Sequence, residues 1–332
     1  MRRREFIGLA GAASAGAVLG PAAFAPGREG QAFANAGPLR PSAGPAAPSA
    51  AAPLLVRDVA ARLRAITAVA EPSVDRLVIG DPAAEVAAIG TCWLPYWDTC
   101  RQAVGEGINL LVVHEPAFYT HWDLDEKSPD LFGASAAGRE AYLETVGKKK
   151  AWVLEHRLAI IRCHDALDKI GGWGVPFAFG EALGFRAGDI VRSRPYYNVY
   201  RVEPRPAAEV AGAIARRLAP FGQPGVAFYG DRDRVVGTVG VGTGCYCDPI
   251  EFMDLRPDLF IALDDVVRTW TQTVYARDTG HPLVVINHGT SEEAGMRALS
   301  EFLKKTYPGR RVVHYPQGCG YEWVAAAPPG SL

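Results

Sequence analysis

An excess of charge of either sign is missing from this sequence. Its 332 residues carry 35 basic and 36 acidic side chains. No basic stripe accumulates, and Lys148-Lys149-Lys150 reads as a solvated helix face, so no nucleic-acid partner is expected. Cysteine is sparse: Cys92, Cys100, Cys163, Cys245, Cys247 and Cys319 show no zinc-ribbon spacing, which argues against a closed structural zinc site. An even count permits disulfides in an oxidising compartment, while buried unpaired cysteine is equally open. Cys245 and Cys247, two apart, are poorly placed to bond each other. There is no G-x-S-x-G nucleophile elbow and no Walker phosphate loop, which removes two common hydrolytic and nucleotide-binding machineries. Gly237, Gly240, Gly242 and Gly244 lack dinucleotide-binding spacing and read as tight turns.

One long apolar run is present, from Phe6 to Ala25, and it is mostly Gly and Ala. Arg2, Arg3 and Arg4 precede it. A positive segment followed by a weakly hydrophobic one is the layout of a secretory signal, and Arg3-Arg4-Glu5-Phe6-Ile7 resembles the core of a twin-arginine motif. The alternative is an uncleaved anchor, since roughly 20 apolar residues span a bilayer; the Gly/Ala content favours a signal. Small-residue cleavage sites end at Ala34 or Ala36, and no lipoprotein cysteine follows the run. The expectation is a signal over 1–36, a delivered protein that is periplasmic or extracellular, and no stable membrane insertion after cleavage. Residues 37–54, almost wholly Ala, Pro, Ser and Gly, cannot bury enough apolar surface to offset their ordering entropy and read as a linker.

Beyond it, short apolar strands alternate with helical patterns. Val56, Val59, Ala60 and Leu63 recur at helical spacing. Leu77–Ile79 and Val86–Ile89 read as strands around the Gly80-Asp81-Pro82 turn, and a helix begins near Pro95. Ile108–Val113 runs into His114-Glu115-Pro116, Leu158–Ile161 into Cys163-His164, and Leu283–Ile286 into Asn287-His288. Thr290 and Glu293 form a plausible capping box for a helix reaching about Lys305. Continuous apolar strands alternating with helices argue for an α/β fold with mostly parallel, helix-covered sheets. Ligands in such sheets bind beyond the strand carboxyl ends, which makes His114, His164 and His288 candidates to converge. Val312-Val313-His314 looks the same, and a lone histidine of this kind is more often structural. Carboxylates beside the three change the balance: Glu115, Asp165, Asp168 and Glu292. Imidazole with carboxylate suits zinc, iron or manganese.

These segments resemble, in order along the chain, the Nif-three-like dinuclear-metal family, whose usual label is type 2 GTP cyclohydrolase I. LVIGDP at Leu77–Pro82 is similar to the family's LQVGDP, LLVVHEP at Leu110–Pro116 to its strand ending in His-His-Pro, and HDALD at His164–Asp168 to HTNLD. GEALGF at Gly180–Phe185 is similar to LAEALGL, and NHGTSE at Asn287–Glu292 to GHYATE. The resemblance implies two divalent metal ions held by His114, Glu115, Asp168, His288 and Glu292, two α/β domains and a toroidal hexamer. Its main departure is Glu115, where a second histidine is usual. His121 could supply a replacement nitrogen or a proton-transfer group, or be an exposed loop residue.

The expected organisation is a metal-binding α/β domain over 55–190 and 279–332, with a second α/β domain over 191–278 inserted between. Leu283 onward would then return to the sheet of Ile108–Val113. The expected function is metal-dependent hydrolysis of a small, possibly nucleotide-like molecule, with His164 or His121 orienting a ligand or transferring protons. The rival is a non-catalytic metal-binding or scaffold protein with the same ligands.

Overall fold

The computed structural model describes residues 53–123, 135–244 and 247–324. The signal reading, most of the linker and Cys245 lie outside them. Linker residue Leu54 is described and is buried in the core beside Val56 and Val59.

The fold is α/β, with helices against two sheets. The first sheet contains β1 (Arg76–Ile79), β2 (Ala88–Cys92), β3 (Leu110–Val113), β4 (Ala159–Arg162) and β11 (Arg311–His314), in the order β1-β4-β3-β2-β11. All its pairings are parallel except β1 with β4. Every residue of β3 is buried, and the alternation of side chains splits them between two cores. Leu110 and Val112 join α1 (Val56–Arg64) and α8 (His288–Thr306) on one face. Leu111 and Val113 join α2 (Trp97–Gly105) and α3 (Ala136–Glu155) on the other. Covering both faces is what requires these strands to be apolar throughout.

The second sheet contains β5 (Ile190–Arg194), β6 (Tyr197–Pro206), β7 (Ala227–Tyr229), β8 (Val235–Gly242), β9 (Leu259–Leu263) and β10 (Leu283–Ile286), in the order β5-β6-β8-β9-β10-β7. It is mixed: β8, β9 and β10 run parallel, and the remaining pairings are antiparallel. Its core takes Ala207, Val210, Ala211, Ile214 and Leu218 from α6 (Ala207–Leu218). Among the described residues no helix is long and apolar enough to cross a membrane.

Three expectations are corrected. Strand β10 does not return to the sheet of β3; it pairs with β9 and β7, and only α8 and β11 come back. A fully apolar strand carries no mark of which sheet receives it. Strand β2 starts later and runs further than expected, pairing with β3 and β11 rather than β1. Gly240 and Gly242 lie in strand β8, where a Cβ would meet the Tyr197 ring at under 3 Å; close packing, not a turn, selects glycine there.

Candidate metal centre

The ends of β3, β4 and β10 each deliver a histidine. His114 follows β3 directly, with the backbone N–H groups of His114 and Glu115 both donating to the Trp93 carbonyl. His164 opens α4 (Asp165–Lys169), a short helix capped by Asp75, whose carboxylate accepts from the N–H groups of His164, Asp165 and Ala166. Asp168 stands one turn on. His288 is the first residue of α8 because Asn287, extended at φ −76° and ψ 142°, is the N-cap and accepts from the Thr290 N–H. The expected Thr290–Glu293 capping box is therefore absent; Glu293 is buried and accepts instead from His314 Nε2 at 2.6 Å. His314 also meets the Thr91 hydroxyl through Nδ1. Both its nitrogens are engaged, and it is structural.

The other three histidines share one arrangement. Nδ1–H of His114 donates to the Cys163 carbonyl at 3.2 Å, that of His164 to Asp165 at 2.9 Å and that of His288 to Asp265 at 2.6 Å. Each Nε2 is thereby left facing the carboxylates. His114 Nε2 lies 3.3 Å from Glu292 Oε2 and 3.5 Å from Asp168 Oδ1. His288 Nε2 lies 3.0 Å from Glu292 Oε1 and 3.5 Å from Glu115 Oε1. His164 Nε2 is 3.7 Å from Glu115 Oε1, with its ring stacked on His114. Glu292 is further held by Trp93, whose Nε1–H donates to Oε2 at 2.7 Å. Gly244, at φ +63°, passes so near that a Cβ would lie 3.2 Å from Glu292 Oε1.

Among the described residues, three overlapping groups of donor atoms, each spanning no more than 4.8 Å, could hold a metal ion: His114, Glu115 and His164; His114, Asp168 and Glu292; and Glu115, His288 and Glu292. The fold thus brings together His114, Glu115, Asp168, His288 and Glu292, and adds His164 to them. His121 stands at the margin: its ring is edge-on to His164 at 5.9 Å, and it enters none of the three groups.

A cation fits the electrostatics. His114 Nε2, His288 Nε2 and Asp168 Oδ1 are buried with no hydrogen-bond partner, a condition that native interiors rarely tolerate. Burial opposes a charge on His114, yet Glu292 and Asp168 outweigh it and raise its pKa to about 10. His288 goes the same way: burial opposes its charge, and Glu292 with Asp265 overcomes it. Glu292, despite burial, is held well below the usual carboxylate range by these two imidazoles, whereas burial lifts Asp168 to about 6. The cluster gathers negative charge and draws positive charge to it. Imidazole nitrogens and carboxylate oxygens without thiolate suit zinc, iron or manganese.

Several residues here carry no strand-end histidine signature: Trp93, Asp75, Arg162 and Asp265. A signal existed for Asp265, because β9 is an apolar run flowing into Asp264-Asp265, the same strand-to-polar design with carboxylates in place of histidine. Asp264 accepts from the His288 N–H and from the Asn287 amide.

The fold is shared with solved structures. Hypothetical protein SA1388 of Staphylococcus aureus superposes with a TM-score of 0.65 at 16% identity, covering 82% of this chain and 100% of that one. Reduced HcgD from Methanocaldococcus jannaschii gives 0.59 at 15%, covering 79% and 98%. A Bacillus cereus protein related to NIF3 gives 0.56 at 12%, covering 76% and 92%. No protein of curated function matches the sequence. The model of one family does match, over residues 135–316, a span that holds His164, Asp168, His288 and Glu292 and more than half of the chain. The chain belongs to the Duf34/NIF3 (NGG1p interacting factor 3) family.

Proposed function

We propose that this protein is a metal-dependent hydrolase with two divalent cations, held by His114, Glu115, Asp168, His288 and Glu292. The observation that carries the reading is the convergence of unpartnered ring nitrogens and carboxylate oxygens at the ends of strands from both sheets. Glu292 would serve both ions, since its Oε2 lies beside His114 Nε2 and its Oε1 beside His288 Nε2. Cations held there would supply Lewis acidity, which lowers the pKa of a bound water and neutralises charge developing on a substrate oxygen. The protein residues do the rest. Asp265 and the Cys163 carbonyl fix the tautomers of His288 and His114, keeping each Nε2 lone pair toward the centre. His164, 14% exposed at its side chain and held through Nδ1 by Asp165, is placed to orient a ligand or transfer a proton. His121 is the second candidate for proton transfer, and burial lowers its pKa, favouring the neutral base.

The substrate proposed is a small molecule. The resemblance behind the cyclohydrolase label points to a nucleotide-like one, and also to a hexameric assembly. The twin-arginine reading of residues 1–36 adds export to the periplasm or beyond. The test is metal analysis of the purified chain with a turnover screen of phosphoester, amide and nucleotide substrates, before and after chelation. Turnover lost on chelation and regained with zinc, iron or manganese is expected. Stoichiometric metal without turnover on any substrate would place the protein with metal stores or scaffolds.

A further inference from the structure

Arg162 ends β4 with its side chain wholly buried, a position a guanidinium tolerates only with its donors engaged. Nε donates to the His114 carbonyl at 2.9 Å, and Nη1 donates to the His121 carbonyl with Asp123 Oδ2 at 3.6 Å. Nη2 donates to Glu115 Oε2 at 3.2 Å. The two oxygens of Glu115 are therefore unequal. Oε2 is turned to Arg162, while Oε1 is the atom beside His288 Nε2 and His164 Nε2.

We propose that Arg162 is a positioning residue for the metal centre: it holds Glu115 Oε2, so that Oε1 is the oxygen turned to the metal. Its fixed charge also offsets the additional carboxylate, which otherwise would add to those of Asp168 and Glu292 in the same buried space. This inference rests on the metal reading above. It explains how a carboxylate can occupy the position after His114 without repelling its neighbours.

The chemistry of an amide tests it. A carboxylate can serve Arg162 and a cation together because both oxygens accept. Glutamine has one oxygen, and a guanidinium can only donate. In Glu115→Gln, Arg162 therefore takes the amide oxygen and turns the NH2 toward His288 and His164, where it cannot ligate. A side chain independent of Arg162 would instead present its amide oxygen to the metal.

The experiment titrates metal-stripped full-length protein with Mn2+ and with Zn2+ by calorimetry, for wild type, Glu115→Gln and Glu115→Ala, and follows denaturant unfolding of each metal-free form. Both variants are expected to lose at least about tenfold in affinity, and to the same extent. Their stabilities should part, because glutamine keeps a partner for Arg162 and alanine does not. A side chain that only supported the fold would not separate stability from metal affinity in this way. Glu115→Gln binding either metal more tightly than Glu115→Ala would overturn the inference while leaving the metal reading intact. Wild type binding neither metal would overturn both. Should the alanine variant fail to fold, Glu115→Leu, of similar size and without a ligating atom, takes its place in the comparison.

Discussion

At Glu292 two imidazoles and an indole meet one carboxylate. So much positive and donor character around a buried acid holds it ionised, and the acid in turn raises both imidazoles. In the metal-free chain His114 keeps its proton up to about pH 10, and a cation must displace it. Metal affinity should accordingly rise with pH toward that value, with protons released on binding, and fall in acid. Asp265 acts one step further out. It accepts from His288 Nδ1, and that bond first, with the charge of His288 also contributing, lowers the Asp265 pKa against its burial. Asp265→Asn should raise the metal dissociation constant about 10- to 100-fold. The fold should be unchanged, because the Asp265 side chain is 46% exposed. Calorimetric titration of the variant decides this; wild-type affinity would show that Asp265 does not orient His288.

Helix α8 carries the link between the two sheets. Its first residue, His288, follows β10 of the second sheet after a single residue, while Met296, Leu299 and Leu303 pack on the first. Asn287 makes this junction. Its side chain caps the helix, accepts from the Gly320 N–H at 2.8 Å and donates to Asp264 at 3.0 Å. Asn287→Ala should cost about 0.5–2 kcal/mol, the range of a lost N-cap, read as a lower denaturant midpoint. An unchanged midpoint would remove Asn287 from this role. The strand was legible in the sequence, since four apolar residues between turn signals leave little choice, and so was the helix. The cap was not: Thr290 and Glu293 satisfy the capping-box pattern, but β10 ends only at Ile286 and the helix begins before that pattern can act. The sheet to which β10 belongs was also hidden, because its pairing with β9 depends on long-range register that no local pattern encodes.

Across the whole molecule, the histidine-bearing strand ends stood out because they break continuous apolar runs, and the structure gathers His114, His164 and His288 accordingly. Arg162 did not stand out, since one arginine closing the apolar strand Ala159–Arg162 looks like a strand terminus until its burial is seen. The proposed export rests on residues 1–36, which lie outside the described residues. Replacing Arg3 and Arg4 together by lysine should retain the protein in the cytoplasm, as cell fractionation would reveal; undiminished export would remove the twin-arginine reading. The placement of Glu292 bears on the life of the chain before any such journey. His114 and Asp168 are synthesised early, yet the carboxylate they face lies on the penultimate element described, α8. Of the three groups, a nascent chain still lacking α8 can offer only His114, Glu115 and His164 to a cation, because the other two need Glu292. The two-cation centre proposed above would therefore be completed only when α8 docks and brings Glu292 to His114 and Asp168.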